Sequence, residues 1–225
     1  MASTLFVIAT PIGNMKDITI RALETLKSVD VILAESPKHS LRLFEHYGID
    51  PKKLIKYNDH TSLKVIPVAM ELAEAGKDIG LITDAGTPTI QDPGYRIVRA
   101  FRDRGFRVVP VPGPSAIMAA LSASGMPTDK FLFLGFLPRG AQRKRNILKK
   151  YDLDATIVLY ESPNRVSATL EAIADALGEN RQVVVARELT KVYEEFLEGS
   201  ASELATLFKG ERKPKGEFVI LIRKA

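Results

Sequence analysis

The feature that most constrains this chain is an alternation. In its first half, short and almost wholly apolar runs at residues 5–9 (LFVIA), 30–34 (DVILA), 79–83 (IGLIT) and 107–111 (RVVPV) take turns with stretches of helical spacing. Residues 17–27 carry Ile18, Ile20, Ala22, Leu23 and Leu26 and read as a helix. Further helices are predicted over 41–47, 65–75 and 95–104, each stopped by a glycine: Gly48, Gly76 and Gly105. Strands that are apolar along their whole length need cover on both faces. Alternation with helices supplies that cover and predicts a mostly parallel sheet. The second half keeps the rhythm, with strands predicted at 131–134, 156–160, 182–186 and 217–222. Its helices are predicted at 115–124, 163–177 and 202–208, with Pro163 near a helix start and Ser202 as a cap. The turn-rich VPGPS at 111–115 marks a boundary, so the expected organisation is two α/β domains, residues 1–112 and 113–225.

Composition then removes several classes of function. The chain has no cysteine, which excludes disulfides, thiolate catalysis and cysteine-held metal. Its three histidines, His39, His46 and His60, lack metal-ligand spacing. The N-terminal stretch has no basic segment, and Pro11 and Gly13 interrupt its apolar run too early for a signal peptide. No stretch approaches the roughly 20 apolar residues of a membrane span. A soluble, cytoplasmic protein with no membrane partner is therefore expected. G-x-G-x-x-G, G-x-x-x-x-G-K-[ST] and G-x-S-x-G are all missing, so the usual nicotinamide, nucleotide-hydrolysing and serine-hydrolase sites have no support.

The net charge of +5 matters only where it clusters. It does so at residues 138–150 (PRGAQRKRNILKK), where Arg139, Arg143, Lys144, Arg145, Lys149 and Lys150 stand without an acidic residue among them. Such a run can be a plain solvated helix face or loop. With no carboxylate nearby in the sequence, it is read here as an RNA contact that draws phosphates by counterion release.

Four Gly/Pro-rich loops follow apolar strands: 10–17 (TPIGNMKD), 83–94 (TDAGTPTIQDPG), 110–116 (PVPGPSA) and 161–165 (ESPNR). Open parallel sheets bind ligands beyond the carboxyl ends of their strands. The second loop is longer than a strand-to-helix turn needs. Gly86 and Gly94 allow close backbone approach there, while Asp84 and Asp92 offer acceptors for an amine or a pair of hydroxyls.

These loops, in this order, resemble the tetrapyrrole methylase superfamily. The segments LFVIATPIGNMKDITIRALETL, LITDAGTPTIQDPGYRIVRA, VPVPGPSAIMAALSASGMPTDKFLFLGFLPR, YESPNR, VVVARELTK and KGEFVILI are similar to its branch acting on small-subunit ribosomal RNA. The resemblance runs nearly end to end. It implies two α/β domains of that superfamily's type with S-adenosylmethionine in the cleft between them, a homodimer, and methylation of a cytidine ribose 2′-oxygen in 16S ribosomal RNA. Carried over by position, the implied cofactor contacts are Pro11, Ala85, Gly86, Thr87, Ile90, Ser115, Ala116, Glu161 and Leu189. Ala85, Gly86 and Thr87 stand where many relatives have Gly-Gly-Asp. Ser36, Pro37 and Lys38 replace the usual Asp-Thr-Arg between Glu35 and His39, and Asn164 replaces a His. Some relatives continue past the last strand, so the chain reads as a short form.

Methyl transfer to a ribose hydroxyl needs alignment and management of one proton, and no metal. The candidate catalytic residues are Glu35, His39, Asp84, Glu188 and Lys191, with Glu161 also at a strand end. A carboxylate or neutral imidazole would take the proton; a cation would stabilise the developing alkoxide. Two other readings remain open. One is a methylase acting on a macrocycle or a protein side chain, against which the basic run argues. The other is an RNA-binding module without catalysis, which would not need the Gly/Pro loops.

Overall fold

Alternate side chains of a strand face opposite ways. In β2 (Val31–Ala34), Val31 and Leu33 join one buried cluster while Ile32 and Ala34 join another. Both faces of this strand are therefore covered, as the apolar runs require. A computed structural model, which describes residues 3–210 and 215–224, divides the chain into two compact units, one through Ser115 and one from Ala116.

The first unit holds β1 (Thr4–Ile8), β2, β3 (Leu54–Lys56), β4 (Ile79–Ile82) and β5 (Arg107–Val111) in the order β3-β2-β4-β1-β5. Every pairing in this sheet is parallel. Helices α1 (Ile20–Ser28) and α2 (Pro37–Tyr47) bury Ala22, Leu26, Leu43 and Phe44 against one face. Helices α3 (Ser62–Glu74) and α4 (Tyr95–Asp103) bury Ala69, Met70, Ile97 and Phe101 against the other. Each of the larger ones contributes about 1.5–3 kcal/mol when taken fully from water, and each alanine about 0.8 kcal/mol. Thr19 caps α1, its hydroxyl accepting from the Ala22 amide at 3.1 Å. The helix predicted from residue 41 starts instead at Pro37, where the missing N–H and fixed φ favour the first helical position.

The second unit departs from the all-parallel pattern. Its strands are β6 (Phe131–Phe136), β7 (Thr156–Glu161), β8 (Gln182–Arg187), β9 (Glu195–Ser200) and β10 (Phe218–Ile222), ordered β6-β7-β10-β8-β9. The β6–β7 pair is parallel, whereas β10 runs antiparallel to both β7 and β8, and β9 antiparallel to β8. Strands β6, β7 and β8 thus point the same way, and their carboxyl ends share one edge with the start of β10. Helices α5 (Ala116–Ala123), α6 (Ala141–Lys150), α7 (Val166–Leu177) and α8 (Ala201–Gly210) complete the unit. Leu148, Val166, Leu170, Ile173 and Phe208 pack on Ile157, Leu159, Val183, Val185 and Ile220.

The cap of α8 is Ser200 rather than Ser202. Ser200 Oγ accepts from the Glu203 amide at 3.2 Å, and Glu203 Oε2 accepts from the Ser200 amide at 2.9 Å. This reciprocal pair satisfies two amides at once, which one hydroxyl cannot do. No helix among the described residues is long and apolar enough to cross a membrane.

Candidate functional site

Because the first sheet is parallel, the loops after β1, β2, β4 and β5 gather at one edge. Hydrogen bonds tie three of them together. The Thr10 amide donates to Gly86 O at 2.9 Å and the Gly86 amide returns one to Thr10 O at 3.0 Å. Thr87 Oγ1 donates to Pro114 O at 3.2 Å. Gly86 sits at φ 76°, and a Cβ there would meet Ile12 Cγ2 at 3.4 Å. The loop at 83–94 is contorted further. Thr89 and Gln91 adopt positive φ of 77° and 64°, and a Cβ on Gly94 would lie 2.7 Å from Thr89 Cγ2. A β-branched residue in that region is strained, which marks this loop as held in shape by its surroundings.

Beside these loops lies a cavity of about 220 Å³ lined by Thr10, Pro11, Gly13, His39, Thr83 and Asp84 among others. Asp84 Oδ1 is buried with no hydrogen-bond partner among the described residues. A buried acceptor left this way costs free energy unless a ligand donates to it. Glu35 reaches the same place, its Oε2 accepting from the Asp84 amide at 3.2 Å. Burial pushes the Glu35 carboxyl above its ordinary value. The Asp84 amide opposes this, and the Asp84 and Asp59 charges add to it. Asp92 is pushed up to about 6, by burial first and then by the Glu35 charge. The structure therefore brings Glu35, Asp84 and Asp92 into one acidic group, with the exposed His39 on the cavity wall. Sequence places Asp92 on the loop, but its nearness to Glu35 comes only from the fold.

Other residues implied by the resemblance are placed as follows. Pro11 lines the cavity. Ala85 and Ile90 are exposed on the second loop, and Thr87 is fixed to Pro114. Ser115 and Ala116 stand on either side of the division between units. Leu189 is buried in the second unit.

Leu189 belongs to a second contorted loop, where Glu188 and Thr190 have positive φ of 50° and 65°. Lys191 Nζ donates to Glu188 Oε1 at 2.8 Å and to Glu217 Oε2 at 2.9 Å. Burial pushes the Lys191 ammonium down, but the two carboxylates outweigh it and leave its pKa raised. The side chain is held as a cation, which suits stabilising negative charge and not accepting a proton.

Glu161, at the end of β7, is fully buried in a network that sequence reasoning missed. Its Oε2 accepts from Thr169 Oγ1 at 2.6 Å, its Oε1 accepts from the Ser162 amide at 2.8 Å, and Arg165 Nε lies 3.2 Å from Oε1. Thr169 Oγ1 in turn accepts from Lys144 Nζ at 2.6 Å. Arg165 also donates to the carbonyl of Leu137. The spacing of Glu161, Arg165 and Thr169 at successive fours across a helix start was the available signal.

The basic run leads into and forms α6, and it is not uniform. Arg139, Arg143, Lys149 and Lys150 are exposed. Lys144 turns inward and is only 2% exposed. Arg145 pairs with Asp175 of α7 at 3.2 Å, a carboxylate supplied from outside the run. Among the described residues, no group of His, Asp and Glu is arranged to hold a metal ion.

Comparison with known proteins bears on this geometry. The chain is 43% identical over 222 residues to the ribosomal RNA small subunit methyltransferase I of Mesorhizobium japonicum, covering 98% of this chain and 75% of the relative. It is 43% identical over 218 residues to the protein of the same name from Thermotoga maritima, covering 97% of each chain. Among solved structures, a diphthine synthase superposes with a TM-score of 0.75 at 16% identity, covering 99% of this chain and 90% of that one, a likeness that speaks for the fold alone. The profile of the Tetrapyrrole (Corrin/Porphyrin) Methylases matches residues 4–205, and the chain belongs to that family.

Proposed function

We propose that this chain transfers the methyl group of S-adenosylmethionine to the 2′-oxygen of a cytidine ribose in 16S ribosomal RNA of the small subunit, working in the cytoplasm as a homodimer. The observation that carries this reading is the identity of 43% across 98% of the chain to a relative named for small-subunit ribosomal RNA methylation. The exposed basic residues Arg139, Arg143, Lys149 and Lys150 support it, since a macrocycle or a protein side chain needs no such phosphate footprint.

The tied loops of the first unit fit the cofactor. Asp84 Oδ1 offers a buried acceptor to a ribose hydroxyl or the methionine ammonium, and Gly86 keeps side-chain bulk away from the backbone. Pro11, Ala85, Thr87, Ile90, Ser115, Ala116, Glu161 and Leu189 are assigned to the same task on the strength of the family pattern. When bound, S-adenosylmethionine supplies a methyl group already activated on a sulfonium. The protein then has to align a hydroxyl with it and remove one proton. His39 and Asp84 line the cavity, Glu35 is bonded to the Asp84 amide, and these three are the candidates to take that proton. Lys191, steadied by Glu188, would stabilise the oxygen as charge develops.

The test is methyl incorporation from labelled cofactor into isolated small subunits, with the modified position read by resistance of its 3′ linkage to alkali. Labelling of a porphyrin-like macrocycle or a protein, with none in the subunits, would overturn the reading. A light-scattering mass of one chain at micromolar concentration would overturn the homodimer. Replacing Arg143, Lys149 and Lys150 by Gln should flatten the salt dependence of subunit binding and leave cofactor affinity unchanged. An identical slope would remove these residues from the RNA contact.

A further inference from the structure

The second unit contains a cavity of about 360 Å³ lined by Arg139, Lys144, Ser162, Asn164, Arg165 and Ala168. Three of these six side chains are cations, and Ser162 and Asn164 add a hydroxyl and an amide. Among the described residues, the carboxylate bonded to this set is Glu161, which is fully buried with both oxygens engaged by Ser162, Arg165 and Thr169. Arg139, Lys144 and Arg165 against Glu161 leave a local surplus of positive charge. Lys144 is itself 2% exposed and has one of its donors on Thr169, so a strongly hydrated ammonium has been carried to the floor of this cavity and fixed there. Ala168 and Asn164 lie in or just before the first turn of α7, and Lys144 lies in the first turn of α6. Neither helix start has a side-chain cap hydrogen bond, so backbone amides add to the same field.

We infer that this cavity is a phosphate-binding pocket, in which Arg139, Lys144 and Arg165, with Ser162 and Asn164, hold one backbone phosphodiester of the RNA substrate. The inference rests on the ribosomal RNA reading above and gives it a fixed point. Exposed lysines of α6 attract any polyanion, whereas a recessed site with a buried ammonium seats one phosphate at one place and sets register. The cofactor carries no phosphate, and its single carboxylate is the competing occupant. Water takes about 30 Å³ per molecule in the liquid, so a phosphodiester enters this space with room to spare.

The experiment uses the full chain and the variant Arg139→Gln, whose exposed side chain has no structural partner to lose among the described residues. Inorganic phosphate should raise the melting temperature of the wild type, compared with chloride at equal ionic strength, and should not raise that of Arg139→Gln. In methylation of small subunits the variant should show a KM about tenfold higher, the effect of losing one charge-assisted contact. Its kcat and its affinity for S-adenosylmethionine should stay as in the wild type, and inorganic phosphate should compete with the subunit. Absence of phosphate protection in the wild type would overturn the pocket. Protection with an unchanged KM would make this a free-phosphate site and overturn its assignment to RNA. A loss of cofactor affinity in Arg139→Gln would assign the pocket to the cofactor carboxylate instead. If the wild type fails to methylate small subunits, the proposed function falls, and the melting experiment still decides whether the pocket binds phosphate.

Discussion

The two units solve the problem of presenting loops in different ways. In the first, every strand runs parallel, so all the strand-to-helix loops leave the sheet at one edge and can be bonded to each other, as Thr10 is to Gly86 and Thr87 to Pro114. In the second, β10 is inserted in the opposite sense between β7 and β8. Its reversed direction sets the start of β10 beside the loops after β6, β7 and β8. There, order comes from buried charge: Lys144, Thr169, Glu161 and Arg165 link α6, α7 and the end of β7 through side chains. The first unit fixes its site through backbone and glycine, the second through paired ions. The difference implies that the two regions fail for different reasons when altered.

The largest effect on stability is expected in the second unit. Lys144→Met removes the cation that reaches Glu161 through Thr169, and Glu161→Gln removes the carboxylate at the other end of that chain, so each alone should cost about 1–3 kcal/mol. The double variant should cost less than the sum of the two. Denaturant melts of the four proteins form the cycle, and strict additivity would show that Thr169 does not couple the pair.

In the first unit, Gly86→Val should act on binding before stability. A β-branched side chain at φ 76° costs about 1–3 kcal/mol of strain. If this loop holds the cofactor as proposed, the displaced backbone should lower affinity for S-adenosylmethionine at least about tenfold. Calorimetry on the folded variant decides this, and unchanged affinity would break the assignment of this loop.

Next in size is a pH effect belonging to the first unit. Asp92 titrates at about 6 in the folded chain against an ordinary 3.8. Between those values the folded state holds more protons than the unfolded one, so its stability falls as pH rises through that window and levels off above it. The upper bound from this group is roughly 3 kcal/mol. Asp92→Asn should therefore be more stable than the wild type at pH 8 and show little difference below pH 4. A pH-independent difference would mean that burial and Glu35 do not strain Asp92.

The smallest effect is expected from Ser200→Ala. Loss of the reciprocal cap with Glu203 should lower stability by about 1 kcal/mol and leave cofactor affinity untouched.

Much of this fold was legible because burial on both faces writes itself into sequence. The strands β1, β2, β4 and β5 stand within a residue of their apolar runs. Of the four edge strands, β5 and β6 carry apolar runs and are legible, whereas β3 is only three residues ending in Lys56 and β9 (EFLEGS) mixes acids and glycine with its apolar residues. The Gly/Pro loops announced themselves, but their mutual hydrogen bonds did not, because pairing between Thr10 and Gly86 depends on the parallel order of β4 and β1. Sequence alone groups Lys144 with its neighbours as an RNA contact, yet its side chain is buried. Leu148, four residues on, shares its helix face and is buried, which was the clue that one lysine of the run points inward. Asp175, the partner of Arg145, comes from another helix and leaves no local trace.

The two-way bridge between Thr10 and Gly86 has a consequence for how fast this protein responds to its ligand. A pocket whose loops are already cross-tied has few conformations to abandon when something enters it. Encounter should then be followed by capture without a slow rearrangement, and the heat-capacity change should reflect only the surface covered. The same tie should be visible before any ligand arrives. The amides of Thr10 and Gly86, though they sit in loops, should exchange with deuterium as slowly as those of the strands beside them.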